Sequence, residues 1–87
     1  MGAPLRLWRI ADQACLIWRH WEGEYVFHHA LANDTHRLSE AAGLVLLQLL
    51  EHGEREQTAL ANVCDLHEED LDVILSALAK IDFVAWR

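Results

Sequence analysis

Short β-patterned runs, rich in aromatic and branched residues, fill the first half of the chain. From Ser39 onward the apolar residues recur three and four apart. The order is therefore strands first and helices afterwards, which predicts an α+β fold. The run at residues 14–21 puts Leu16, Trp18 and His20 on one face and Ile17, Arg19 and Trp21 on the other. Glu22-Gly23-Glu24 supplies a hairpin turn with a glycine where φ can be positive, and residues 25–31 return as the next strand. Ala32-Asn33-Asp34 is a second turn, with two residues that tolerate left-handed geometry. Thr35, His36, Arg37 and Leu38 then form a short edge strand. The three runs make an antiparallel meander, and residues 5–10 are compatible with a further strand before the break at Ala11-Asp12-Gln13.

The second half reads as three helices. Ser39 is an N-cap, and Ala42, Val45, Leu46, Leu49 and Leu50 form the apolar stripe of a helix over residues 40–51. Leu44 and Leu47 fall off that stripe, which predicts a central helix covered on more than one side. His52-Gly53 ends it with a C-cap glycine. A shorter helix over residues 56–64 turns Leu60, Val63 and Cys64 inward. Asp65-Leu66-His67-Glu68 has the spacing of a capping box, with Asp in the Ser/Thr slot. The third helix runs to Lys80 on a stripe of Leu71, Ile74, Leu75 and Leu78. Its acidic residues Glu68, Glu69, Asp70 and Asp72 sit near the positive end of the helix dipole, and Lys80 sits near the negative end. Residues 83–86 would pack back on the body or against a second subunit.

Composition sharpens this picture. Eighty-seven residues suffice for one domain, near the lower limit at which a core holds without metal or disulfides. An apolar fraction of 53% argues against disorder. Pairing of two copies would bury more surface, so a homodimer is compatible with so small a core. The four tryptophans include some expected to stay partly exposed, as at interfaces. Cys15 and Cys64 are expected as two free thiols in a reducing cytosol rather than one disulfide. The N-terminal residues have no apolar signal core, and the longest apolar run, residues 41–50, is too short for a bilayer. A cytoplasmic protein is the expectation.

Charge and candidate chemistry exclude more than they assign. Seven basic against fourteen acidic residues give −7, whereas a nucleic-acid binder needs a positive footprint. The same balance disfavours an anionic membrane surface. Three helices on a small sheet make a winged-helix-like body, but the acidic first turns of its third helix would meet phosphates in the major groove. His28 and His29 are adjacent in a strand, so they point to opposite faces and cannot chelate one ion. His36 across the sheet from His28 or His20 lacks any zinc-type spacing. Thr35 and His36 alternate faces too, so they make no nucleophile–base pair. No catalytic residue, metal or cofactor is expected.

Asp34-Thr35-His36-Arg37-Leu38, placed just before the first helix, resembles the D-T-H-x-L strand ending of the PqqD-like family. These are small peptide-binding modules also called RiPP recognition elements. The match is nearest to the branch found beside HPr-kinase-related proteins, and it covers residues 5–86. The resemblance implies a non-catalytic chaperone or adaptor that holds a peptide or protein partner and presents it to an enzyme, with an HPr-kinase-related protein as one candidate. Members commonly have Gly where Asp82 stands, and Asp enters left-handed geometry only at some cost.

Val73 and Ala77 lie four apart on the third helix, off its core stripe and next to Asp70. They read either as a shoulder packed on the second helix or as one wall of a groove. In the second case the edge strand Thr35, His36, Arg37 and Leu38 is the other wall, and an extended peptide adds there as a strand. Asp70 and Asp72 favour a basic residue somewhere in that peptide. The alternative function is a structural or regulatory subunit that binds one folded partner through the tryptophan-bearing surfaces. A winged-helix DNA binder ranks behind both.

Overall fold

The computed structural model describes residues 6–11, 16–31 and 33–87. Its elements are β1 (Leu7–Ile10), β2 (Leu16–Trp21), β3 (Glu24–His29), β4 (Asp34–Leu38), α1 (Glu40–His52), β5 (Arg55–Glu56), α2 (Gln57–Cys64), α3 (Glu68–Lys80) and β6 (Val84–Trp86). Two antiparallel three-stranded sheets, ordered β2-β3-β4 and β5-β1-β6, accompany the three helices. The class is α+β, compatible with a winged-helix arrangement.

The meander follows from its turns. Glu22 and Gly23 both take positive φ, 49° and 78°, which is the twist a two-residue hairpin requires. Asn33 does the same at 55° in the second turn. The resulting register aligns Trp18 with Phe27 and His36, and Arg19 with Val26 and Arg37. Tyr25 and Phe27 are buried on the inner face. Tyr25 lies so close over α1 that a β-carbon at Gly43 would overlap its ring. Glycine at that position is what lets the sheet approach the helix.

The second sheet gathers segments that are far apart in the chain. β1 lies between β5 and β6 and matches the strand expected over residues 5–10, but it does not join the meander. Leu7 and Arg87 exchange both backbone hydrogen bonds, at 3.3 and 3.1 Å. Trp8 sits beneath with 1% of its surface exposed, and its indole N–H donates to Gln57 Oε1 at 3.0 Å. Residues 83–86 do pack back on the body, through β6 and the fully buried Phe83. Trp8, Phe27, Phe83, Leu46, Leu60 and Leu75 lie at the centre of one core.

Helix ends account for several differences from expectation. Ser39 Oγ accepts from the Ala42 N–H at 3.2 Å and Gly53 closes α1, both as expected. Asp65 makes no capping box. It ends α2 at φ 55°, with Asp65 and Leu66 N–H groups bonded to the Asn62 and Ala61 carbonyls. This is the Schellman arrangement, which calls for a left-handed residue. α3 is then capped by His67 with no side-chain bond, and Glu68 accepts instead from the Thr58 hydroxyl at 3.0 Å. Asp82 repeats the device at φ 62°, and Phe83 N–H reaches the Leu78 carbonyl at 3.0 Å.

Three apolar residues also face outward. Val63 is 50% exposed, because Leu60 and Ala61 supply the buried side of α2. Leu44 and Leu50 are exposed on α1, so that helix is covered less fully than its leucines suggest. Cys64 is a free, partly buried thiol whose burial raises its pKa above the ordinary 9.0. Cys15 lies outside the described residues.

Candidate functional site

β4 is an edge strand. It pairs with β3 along one side, and among the described residues no strand pairs with its other side, leaving alternate backbone N–H and C=O groups outside any described ladder. Beside that edge runs an open groove of about 350 Å³. Arg37 and Leu38 line it from the strand, and Ser39 and Ala42 from the start of α1. The opposite wall is Val73, Ile74, Ala77 and Leu78 of α3, continued by Ile81. These α3 positions lie three and four apart, so one helical face supplies the whole wall.

Val73 and Ala77 are therefore not a shoulder against α2. They are exposed, Val73 by 70%, and both line the groove beside Arg37 and Leu38. The other sequence candidates fall elsewhere. Thr35 is on the outer face of the sheet, where its hydroxyl lies 2.8 Å from Nδ1 of its cross-strand partner His28. That is a polar cross-strand pair of the stabilising kind. His36 turns under the sheet and meets Phe83 edge-on at 5.3 Å. Asp70 is exposed in the first turn of α3 and is not part of the groove lining. Asp72 faces Arg6 at 4.0 Å. The side chains of Thr35, His36 and Asp70 thus do not form the groove, although the backbone of Thr35 and His36 belongs to its edge strand.

Sequence reasoning did not assign Ser39, Ala42, Ile74, Leu78 and Ile81 to the site. Ile74 and Leu78 served the core stripe, yet each lies one residue beyond Val73 or Ala77 on an adjoining ridge. Ala42 could have been found by size, since a small residue at the first turn of α1 leaves room for the cleft.

The site is apolar with one charge on its rim. Among the described residues no group of three or more His, Cys, Asp or Glu is placed to hold a metal ion. His28 and His29 point to opposite faces: the first bonds Thr35, and the second lies 5.7 Å from Phe83 on the buried side. His20 stacks on Tyr25 at 4.3 Å. The first turn of α3 presents Glu68, Glu69 and Asp70 to solvent, where a recognition helix would need cations. Among the described residues no helix is long and apolar enough to cross a membrane.

Other apolar surface lies on the solvent face of the meander, where Ile17 is 60% and Trp21 68% exposed. Trp86, half exposed, is covered by the Arg6 guanidinium at 4.4 Å. No family model matches this chain, and comparison with curated proteins and with solved structures finds no similar protein.

Proposed function

We propose that this protein is a non-catalytic peptide-binding module. It captures an extended peptide by strand addition along β4, beside α3, and presents it to a partner enzyme. The observation that carries this reading is the pairing of an open strand edge with an apolar groove at its side. The edge offers backbone hydrogen bonds and the groove takes alternate side chains, which are the two requirements of strand addition. An exposed edge is otherwise a liability in a protein. The resemblance of residues 34–38 to PqqD-like modules supports the same function, and an HPr-kinase-related protein remains a candidate for the enzyme served.

A second reading rests on the exposed Ile17 and Trp21 of β2. They would suit a structural or regulatory subunit docked on the outer face of the meander, or a homodimer through it. The two readings separate cleanly in one NMR experiment. The labelled protein is titrated with extended synthetic peptides that carry valine at alternate positions. Under the groove reading, shifts fall on β4 and α3, and Val73→Arg or Ala77→Arg weakens binding at least about tenfold, or 1.4 kcal/mol. Both positions are solvent-exposed, so the fold should be retained. Shifts confined to the Ile17 and Trp21 surface would reject the groove.

A further inference from the structure

β4 alternates in chemistry between its two faces. Leu38 packs inward against the core cluster, and His36 lies inward against Phe83. Arg37 between them belongs to the outer face, in one row with Val26 and Arg19. Arg37 lines both the groove and an outer hollow of about 420 Å³ shared with Trp21, Glu24 and Val26. Among the described residues Arg37 is the one ionisable residue lining the groove. It reaches no described carboxylate at ion-pair distance, although Glu22 and Glu24 border the same hollow.

We propose that the groove selects a peptide segment of the pattern apolar–acidic–apolar, with the carboxylate opposite Arg37. This rests on the strand-addition reading above. In a ladder extended from β4, one peptide residue lies directly across from Arg37 on the outer face, its Cβ about 4.5–5.5 Å away. Its two neighbours turn inward, toward the wall formed by Val73 and Ala77. A carboxylate at the central position meets a guanidinium that has no other ion-pair partner among the described residues. A lysine there meets like charge. This departs from the basic preference that Asp70 and Asp72 suggest from sequence; Asp70 lies off the groove lining and Asp72 faces Arg6. The chain's net charge of −7 opposes an anionic peptide at long range. Salt screens that repulsion more than a short-range pair.

The test uses three capped synthetic octapeptides that differ only at one residue between two valines: Glu, Gln or Lys. Each is titrated to millimolar concentration against the labelled protein at physiological salt. The expected order of affinity is Glu, then Gln, then Lys, with about fivefold between the extremes, as exposed charge pairs allow. Arg37→Glu should invert that order, and Val73→Arg should weaken all three peptides. Equal affinities, or an order unchanged in Arg37→Glu, would overturn the charge selection while the groove stands if Val73→Arg still weakens binding. Failure of all three peptides to shift β4 or α3 would overturn the groove and this inference with it.

Discussion

Asp65 and Asp82 show what a single residue decides here. Each stands in left-handed geometry at the end of a helix, where glycine is the usual solution. An L-residue pays a steric cost there that aspartate lowers but does not remove. The Asp82 site sets the exit of α3 and delivers Phe83 into the core. Asp82→Gly should therefore stabilise the fold by about 0.5–1 kcal/mol, within the range of other cap improvements. In a domain of this size that raises the melting temperature by about 2–8 °C. A thermal melt checks it, and a lower melting temperature would mean the aspartate makes a compensating contact.

Among elements, the legible ones were those whose signal is local. Glu22-Gly23 and Asn33 announce turns whatever the rest of the chain does. Ser39 and Gly53 bound α1, and Leu71, Leu75 and Leu78 fix the phase of α3. β5 and β6 were not legible as strands of one sheet, since two or three residues carry no period and their partner β1 lies far away in sequence. The capping-box reading of Asp65 failed because α2 needed that residue first, as its own terminus.

The site divides along the same line. Val73 and Ala77 were recognisable as apolar positions off a stripe, while the roll of α3 decides that they, and not Asp70, line the groove. That roll is fixed by Leu75, and the matching phase of α1 by Leu46; both are fully buried. Leu46→Ala and Leu75→Ala should each cost about 2–5 kcal/mol in denaturant unfolding. A loss under about 1 kcal/mol at either would contradict this burial.

At the scale of the whole molecule, charge is the controlling property. A chain of −7 whose winged-helix-like body presents Glu68, Glu69 and Asp70 at the front of α3 lacks the footprint that phosphates require. Duplex DNA should show no gel shift at micromolar protein and physiological salt. A shift that weakens with added salt would reveal a basic surface despite the net charge.

The pairing of β1 with β6 also has a consequence for synthesis. A ribosome releases Trp8 before its neighbour Trp86, with all of the meander and the three helices made in between. The meander and α1 are contiguous in sequence and can assemble during elongation, since their contacts close short loops. Of its described sheet partners, the strand bearing Trp8 gains the first only when residues 55 and 56 emerge, and the second only when residues 84–86 do. A nascent chain arrested between those points would leave a large indole-bearing strand half paired, the kind of surface that holdase chaperones recognise.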